Sequence, residues 1–98
     1  MSAPLVDVVN FTNKLLDIDK ISDYCPNGLQ VEGASTIHKI IGGVSASQAL
    51  IDHAISVNAD AILVHHGYFW KGEASPIVGI KKNRLKALLE NNISLLAY

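Results

Sequence analysis

The stretch IHKIIGGVSASQALIDHAISVNADAILV, residues 37–64, sets the fold class. Its opening, Ile37 to Val44, is short, apolar and β-branched, which predicts a strand with Gly42-Gly43 near its end. Ser45-Ala46-Ser47-Gln48 follows, a Ser-x-x-Gln capping box that opens a helix. That helix carries Leu50, Ile51, Ala54, Ile55 and Val57 on its apolar side. After Asn58, the run Ala61-Ile62-Leu63-Val64 is continuously apolar, as expected of a strand covered on both faces. Strand, capped helix and strand make a right-handed crossover unit.

Outward from that unit the pattern repeats. A helix is expected from about Ala3 to Asp17, with Pro4 in its first turn and Leu5, Val8, Val9, Leu15 and Leu16 at helical spacing. Residues 22–28, Ser-Asp-Tyr-Cys-Pro-Asn-Gly, stack turn formers and read as an irregular loop. A third helix runs from about Lys81 to Asn91, with Leu85, Leu88 and Leu89 facing in, and Ile93 to Tyr98 is a third strand. The expectation is a three-layer α/β fold, a mainly parallel sheet with flanking helices. A buried parallel strand normally leads into another turn and helix. An apolar strand closing at Tyr98 reads as a domain cut short.

Composition narrows the function classes. The chain has 98 residues, 49% hydrophobic and 17% charged, with eight basic against nine acidic side chains and a formal charge of −1. That suffices for one domain with a modest core, and excludes a disordered or collagen-like chain. Near-neutral charge argues against duplex DNA as an obligatory partner, because non-specific affinity there comes from neutralising phosphates. No apolar run approaches the roughly 20 residues that span a bilayer. Met1-Ser2-Ala3-Pro4 offers neither a basic nor an apolar region of a secretory signal. Cys25 is the sole cysteine, so no internal disulfide can form and a reducing, cytoplasmic setting is expected.

The chemistry-bearing segment is residues 63–72, Leu-Val-His-His-Gly-Tyr-Phe-Trp-Lys-Gly, which begins where the apolar strand ends. Open α/β sheets place their ligands at the carboxyl ends of strands. His65 and His66 could there bind a transition metal through their ring nitrogens. Adjacent side chains on a regular strand point to opposite faces. Both would serve one site only if the strand breaks at His65, and Gly67 permits such a bend. Two metals, each taking one imidazole, fit a divergent pair better than one chelated ion. The plain alternative is a His pair that hydrogen-bonds nearby backbone. A catalytic zinc usually takes three protein ligands, and the further candidates, Asp60, Glu73 and Asp23, are not compelling from spacing.

Other features carry structural readings as well as functional ones. Gly42-Gly43 ahead of a capped helix could cradle an anion, or could simply allow tight packing. His38 and His53 are expected to be solvated. Cys25 as a nucleophile would need a paired base, and none is in view. Lys81, Lys82, Arg84 and Lys86 read as a solvated helix face, or as a patch for nucleotide phosphates. Tyr68, Phe69 and Trp70 suit a pocket wall or a stacked base, and equally a core or an oligomer interface.

The runs Ile21 to Gly33, Gly43 to Ser47 and Ala59 to Gly72 resemble, in order, the signatures of the GTP cyclohydrolase I type 2 homologues, also called the NIF-three-like proteins. The resemblance covers most of residues 21 to 98. It implies a two-domain α/β protein assembled as a toroidal hexamer, a homo-oligomer with a dinuclear metal centre facing its interior. His65 and His66 match the adjacent His ligands, one for each of two divalent ions (zinc, iron or manganese). The remaining ligands implied are an Asp shortly beyond the position of Tyr98 and a His and a Glu near the C-terminus. Residues 1–98 would then be the N-terminal part of such a protein. The implied activity is metal-dependent hydrolysis of a nucleotide-like substrate. The alternative is a metal-stabilised, non-catalytic oligomeric scaffold that binds a protein partner.

Overall fold

Ala3 is forced into an extended conformation by the proline that follows it, and this decides how the chain begins. In the computed structural model, which describes residues 2–16, 28–67 and 76–98, β1 (Ala3–Pro4) pairs antiparallel with β3 (Thr36–Ile37). Helix α1 (Leu5–Leu15) starts only after Pro4, which stands just before the first turn rather than inside it. Leu5 N–H, one of the donors a helix start leaves open, donates to Ser35 O at 2.7 Å.

The main sheet has four strands in the order β2 (Gly28–Val31), β6 (Ser94–Ala97), β5 (Ala61–His66), β4 (Ile40–Ser45). β4, β5 and β6 run parallel, and β2 closes one edge antiparallel. Helices α2 (Gln48–Ser56) and α3 (Gly79–Glu90) are the two crossovers. Both step the same way across the sheet, so right-handed connections place them on the same face.

The cores show this layering. Ile62, Val64, Leu95 and Ala97 meet Ile51, Ala54, Leu85 and Leu88 on one side. Ala61, Leu63, Leu96 and Tyr98 meet Leu5, Val8 and Val9 on the other. The expected three-layer, mainly parallel α/β architecture is thus what the described residues form.

Several boundaries differ from the sequence reading, each for a local reason. The expected strand Ile37 to Val44 is two strands, broken at His38-Lys39. Asp60 Oδ2 accepts both of their N–H groups, at 2.8 and 3.1 Å, and turns them out of any ladder. The helix cap is Ser47, whose Oγ accepts Leu50 N–H at 3.2 Å, and not Ser45. Ser45 is held extended opposite His66, and the next N–H, of Ala46, donates to His66 O at 2.9 Å.

Strand β2 was not expected. The loop predicted over residues 22–28 lies outside the described residues except for Gly28, which opens that strand. Leu15 and Leu89 are 65% and 57% exposed and do not face the core. Leu15 sits one turn from Phe11, on a flank that α1 turns outward.

Helices α2 and α3 end alike. Asn58 and Asn92 take the left-handed conformation, with φ of 57° and 53°. Ala59 N–H and Ile93 N–H then reach back to Ala54 O and Leu88 O, and Asn58 and Asn92 donate to Ile55 O and Leu89 O. That is the Schellman pattern, which satisfies carbonyls that a helix end otherwise leaves open. Both helices thereby deliver their chains to the amino ends of β5 and β6.

Asp60 is the polar hub of this amino-terminal rim, since its main chain also bonds Lys39 O and Ser94 N–H. Two main-chain donors on one carboxylate predict that Asp60→Ala lowers stability by about 2 kcal/mol. Urea unfolding should show a lower midpoint with an unchanged slope.

Candidate metal centre

At the opposite rim three parallel strands end nearly level. Ser45 lies beside His66, Val64 lies beside Ala97, and Tyr98 N–H donates to Val64 O at 3.0 Å. Along β5, Ala61 and Leu63 face α1 while Ile62 and Val64 face α2 and α3. By that alternation His65 leaves on the α1 side and His66 on the other. Yet their rings meet, with centroids 4.3 Å apart and planes inclined by 58°.

The break at His65 on which a single shared site depended does not occur, because β5 continues through His66. The two rings converge over the strand end with the ladder intact. Gly67 is also needed for a reason other than bending. A Cβ there would collide with Gln30 Oε1 and lie 2.7 Å from Ala97 Cβ. The rim is packed too closely for any side chain at that position.

His65 is exposed and His66 half-buried. His65 Nδ1 stands 2.6 Å from the main-chain oxygen of Tyr98. That oxygen can only accept, so Nδ1 carries the proton and donates it. With Nδ1 so engaged, Nε2 is the nitrogen a metal would use in the neutral ring. An oxygen acceptor on one ring nitrogen, which leaves the other for a metal, is the usual arrangement of a metal-binding histidine.

Tyr98 is itself fixed. Its hydroxyl donates to Asn13 Oδ1 at 2.5 Å and lies 2.7 Å from Thr12 Oγ1, both on α1. Burial raises its ionisation above the usual tyrosine value of 10.0, and the bond from Thr12 partly offsets this. Neither Tyr98 nor its partners stood out in the sequence. The contacts join positions 85 and 86 apart, beyond the reach of any local spacing rule.

The other candidates separate clearly. Asp60 lies at the far end of β5, about 16 Å away at strand rise, with its carboxylate taken by His38 and Lys39. Asp23, Cys25, Glu73 and the aromatic run Tyr68 to Trp70 lie outside the described residues. Among the described residues no third His, Cys, Asp or Glu joins the histidine pair. His38 and His53 are exposed, as expected.

Gly43 serves packing, since a Cβ there would come within 2.5 Å of Leu50 Cδ2 on α2. Of the basic residues on α3, Lys82 and Lys86 are exposed, the latter 3.8 Å from Glu90. Lys81 and Arg84 are half-buried, so that face is only partly solvated. A groove of 470 Å³ between α1 and the β2–β3 segment is lined by Leu5, Val9, Leu29 and Glu32, without a histidine in its wall. No helix among the described residues is long and apolar enough to cross a membrane.

Comparison with known proteins matches this geometry to a family. The model described as Duf34/NIF3 (NGG1p interacting factor 3) matches residues 3–98. A GTP cyclohydrolase 1 type 2 homolog of Pseudomonas aeruginosa is 56% identical over 98 residues, all of this chain and 39% of that protein. One of Haemophilus influenzae is 61% identical over 93 residues, 95% of this chain and 37% of that protein.

Among solved structures, the structural-genomics protein ybgI, of unknown function, superposes with a TM-score of 0.96 at 53% identity. The match covers 98% of this chain and 39% of that one. TTHA1606 of Thermus thermophilus superposes at 0.91 with 38% identity, over 97% of this chain and 39% of that one. The chain spans less than two fifths of the length of these relatives.

The raised ionisation of Tyr98 gives a pH prediction. The folded state holds the phenol proton more tightly than the unfolded chain does. Stability from this group is therefore complete below pH 10 and drains away as pH rises through the raised value. Ultraviolet titration should show Tyr98 ionising late. Tyr98→Phe should abolish that late step and flatten the alkaline loss of stability relative to the parent.

Proposed function

The chain belongs to the Duf34/NIF3 family, and from that membership and the paired imidazoles at the sheet rim we propose a metal-binding protein, part of a dinuclear metal-dependent hydrolase acting on a nucleotide-like substrate. The observation that carries this reading is the state of the pair. His65 Nδ1 stands 2.6 Å from Tyr98 O, and its ring lies against that of His66 with centroids 4.3 Å apart. Inclined rings that leave opposite faces suit one ligand to each of two ions better than two to one.

Neutral imidazole suits zinc or iron among divalent ions, whereas manganese would lean on carboxylate ligands supplied from elsewhere. Such ions, when bound, supply Lewis acidity and activate water for attack at neutral pH. This chain's own contribution is to hold and orient. The β5 ladder fixes both histidine backbones, Tyr98 fixes one ring, and the close-packed Gly67 shapes the wall beside them. The remaining ligands and any proton-transfer group come, on this reading, from the part of the protein these residues do not include. Assembly as a toroidal homo-hexamer belongs to the same proposal. Phe11, Leu15 and Val44, each 65–70% exposed, offer apolar surface for it.

Those same exposed side chains favour a second reading, a metal-stabilised scaffold without turnover that binds a protein partner. The family description, an interacting factor, points the same way. Full-length protein separates the two. Elemental analysis should find about two metal ions per subunit, and His65→Ala combined with His66→Ala should remove them. Full metal retention in the double variant would end the metal reading. Metal-loaded protein given GTP and related nucleotides should release formate above background if it is the enzyme. No release across the panel leaves the scaffold.

A further inference from the structure

A helix start favours acidic side chains and a helix end basic ones, because of the partial charges that aligned peptide dipoles leave at each end. Helix α3 (Gly79–Glu90) is built the other way round. Lys81, Lys82 and Arg84 stand near its start, and its one acid, Glu90, closes it. Val78, just before the helix, brings no side-chain acceptor to the open N–H groups of that start.

The topology carries this basic end to the histidine rim. Ile93 N–H donates to Leu88 O, so Leu88 stands level with the beginning of β6. Going back from Leu88 to Lys81 climbs about 10 Å at helical rise. Going from Ser94 to Ala97 climbs about the same at strand rise. Lys81 is therefore level with Ala97, which lies beside Val64, the residue before the histidines. The face is shared as well. His66 alternates with Ile62 and Val64, which pack on the side of α2 and α3.

Lys81, Arg84, Leu85 and Leu88 form one stripe of α3, at i, i+3, i+4 and i+7. The two leucines are buried against the sheet and the two cations half-buried above them. Long side chains on a helix lean toward its N-terminus, so both cations extend toward the rim. Arg84 Nε is shielded from solvent and has no hydrogen-bond partner among the described residues. A shielded guanidinium nitrogen without an acceptor is costly to keep, and an oxyanion is the acceptor that best satisfies it.

We propose that Lys81 and Arg84 form an anion subsite beside His66 that takes a phosphate group of the nucleotide-like substrate. Arg84 supplies directed N–H donors and Lys81 a mobile point charge. The placing of that phosphate against a metal centre rests on the hydrolase reading above. The affinity of the basic pair for phosphate does not.

Equilibrium binding of GTP and of guanosine to metal-loaded full-length protein measures what the phosphates contribute. The parent should bind GTP at least tenfold more tightly than guanosine. Lys81→Gln and Arg84→Gln should each weaken GTP about tenfold, the scale of one charged hydrogen bond. Guanosine affinity and metal content should stay at the parent's level, and Arg84→Lys should recover part of the loss. Lys81→Gln, only half-buried in the parent, keeps the test open should Arg84→Gln fail to fold.

Unchanged GTP affinity in the folded variants overturns the proposal, and so does an equal loss of GTP and guanosine. A parent without preference for GTP overturns it too. Inorganic phosphate that binds as tightly as GTP, and is lost in the same variants, overturns the nucleotide part and leaves a site for free phosphate. Failure of the metal reading looks different. The His65→Ala, His66→Ala double variant would then retain its metal, while the response of GTP to Lys81→Gln and Arg84→Gln stands.

Discussion

A buried parallel strand must find a donor for each carbonyl it carries, up to its last residue, and that demand organises the carboxyl rim of this sheet. Val64 O takes Tyr98 N–H and His66 O takes Ala46 N–H. These two bonds fix where β6 and β4 end relative to β5, and with them which side chains stand level. Ser45, His66 and Tyr98 come together because the backbone of β5 is satisfied from both sides at once. An unpaired carbonyl in that position would cost roughly 1–3 kcal/mol. The register is therefore not free to slip, and a slip of one residue would turn both histidines to the wrong faces.

The two ends of the sheet divide the work. At the amino-terminal rim the helix ends and the Asp60 carboxylate are satisfied internally. Two Schellman ends close the helices, and Asp60 gathers the donors of His38 and Lys39. At the carboxyl rim His65 Nδ1 meets the Tyr98 oxygen while the residue stays exposed. That contrast is what favours the second end as the candidate site. The 470 Å³ groove beside α1 holds no comparable pairing of groups.

Much of this was legible in the residues. The β4–α2–β5 unit follows from a capped amphipathic segment between two apolar runs, and the layered α/β class follows from the unit. The His pair could be placed at a strand end because Ala61 to Val64 is apolar on both faces. Errors arose where a local signal met a distant partner. Ser45 looks like a cap, but the ladder to β5 claims it, and Ser47 caps instead. Ile37 looks continuous with Ile40, but the Asp60 carboxylate breaks the strand between them. Leu89 fits the helical period, yet no layer lies over it.

By itself the sequence determined the order of elements, the sheet type and the position of two adjacent imidazoles at a strand terminus. Those are consequences of periodicity, capping and apolar runs, which act over a few residues. Only the tertiary structure decided that the rings converge without a break in the strand, that His65 Nδ1 meets the Tyr98 oxygen, and that the Tyr98 hydroxyl is braced on α1. Hydrogen bonds between residues 33 and 85 positions apart leave no trace in local pattern. They exist only once the chain has closed on itself and water has been excluded around the tyrosine.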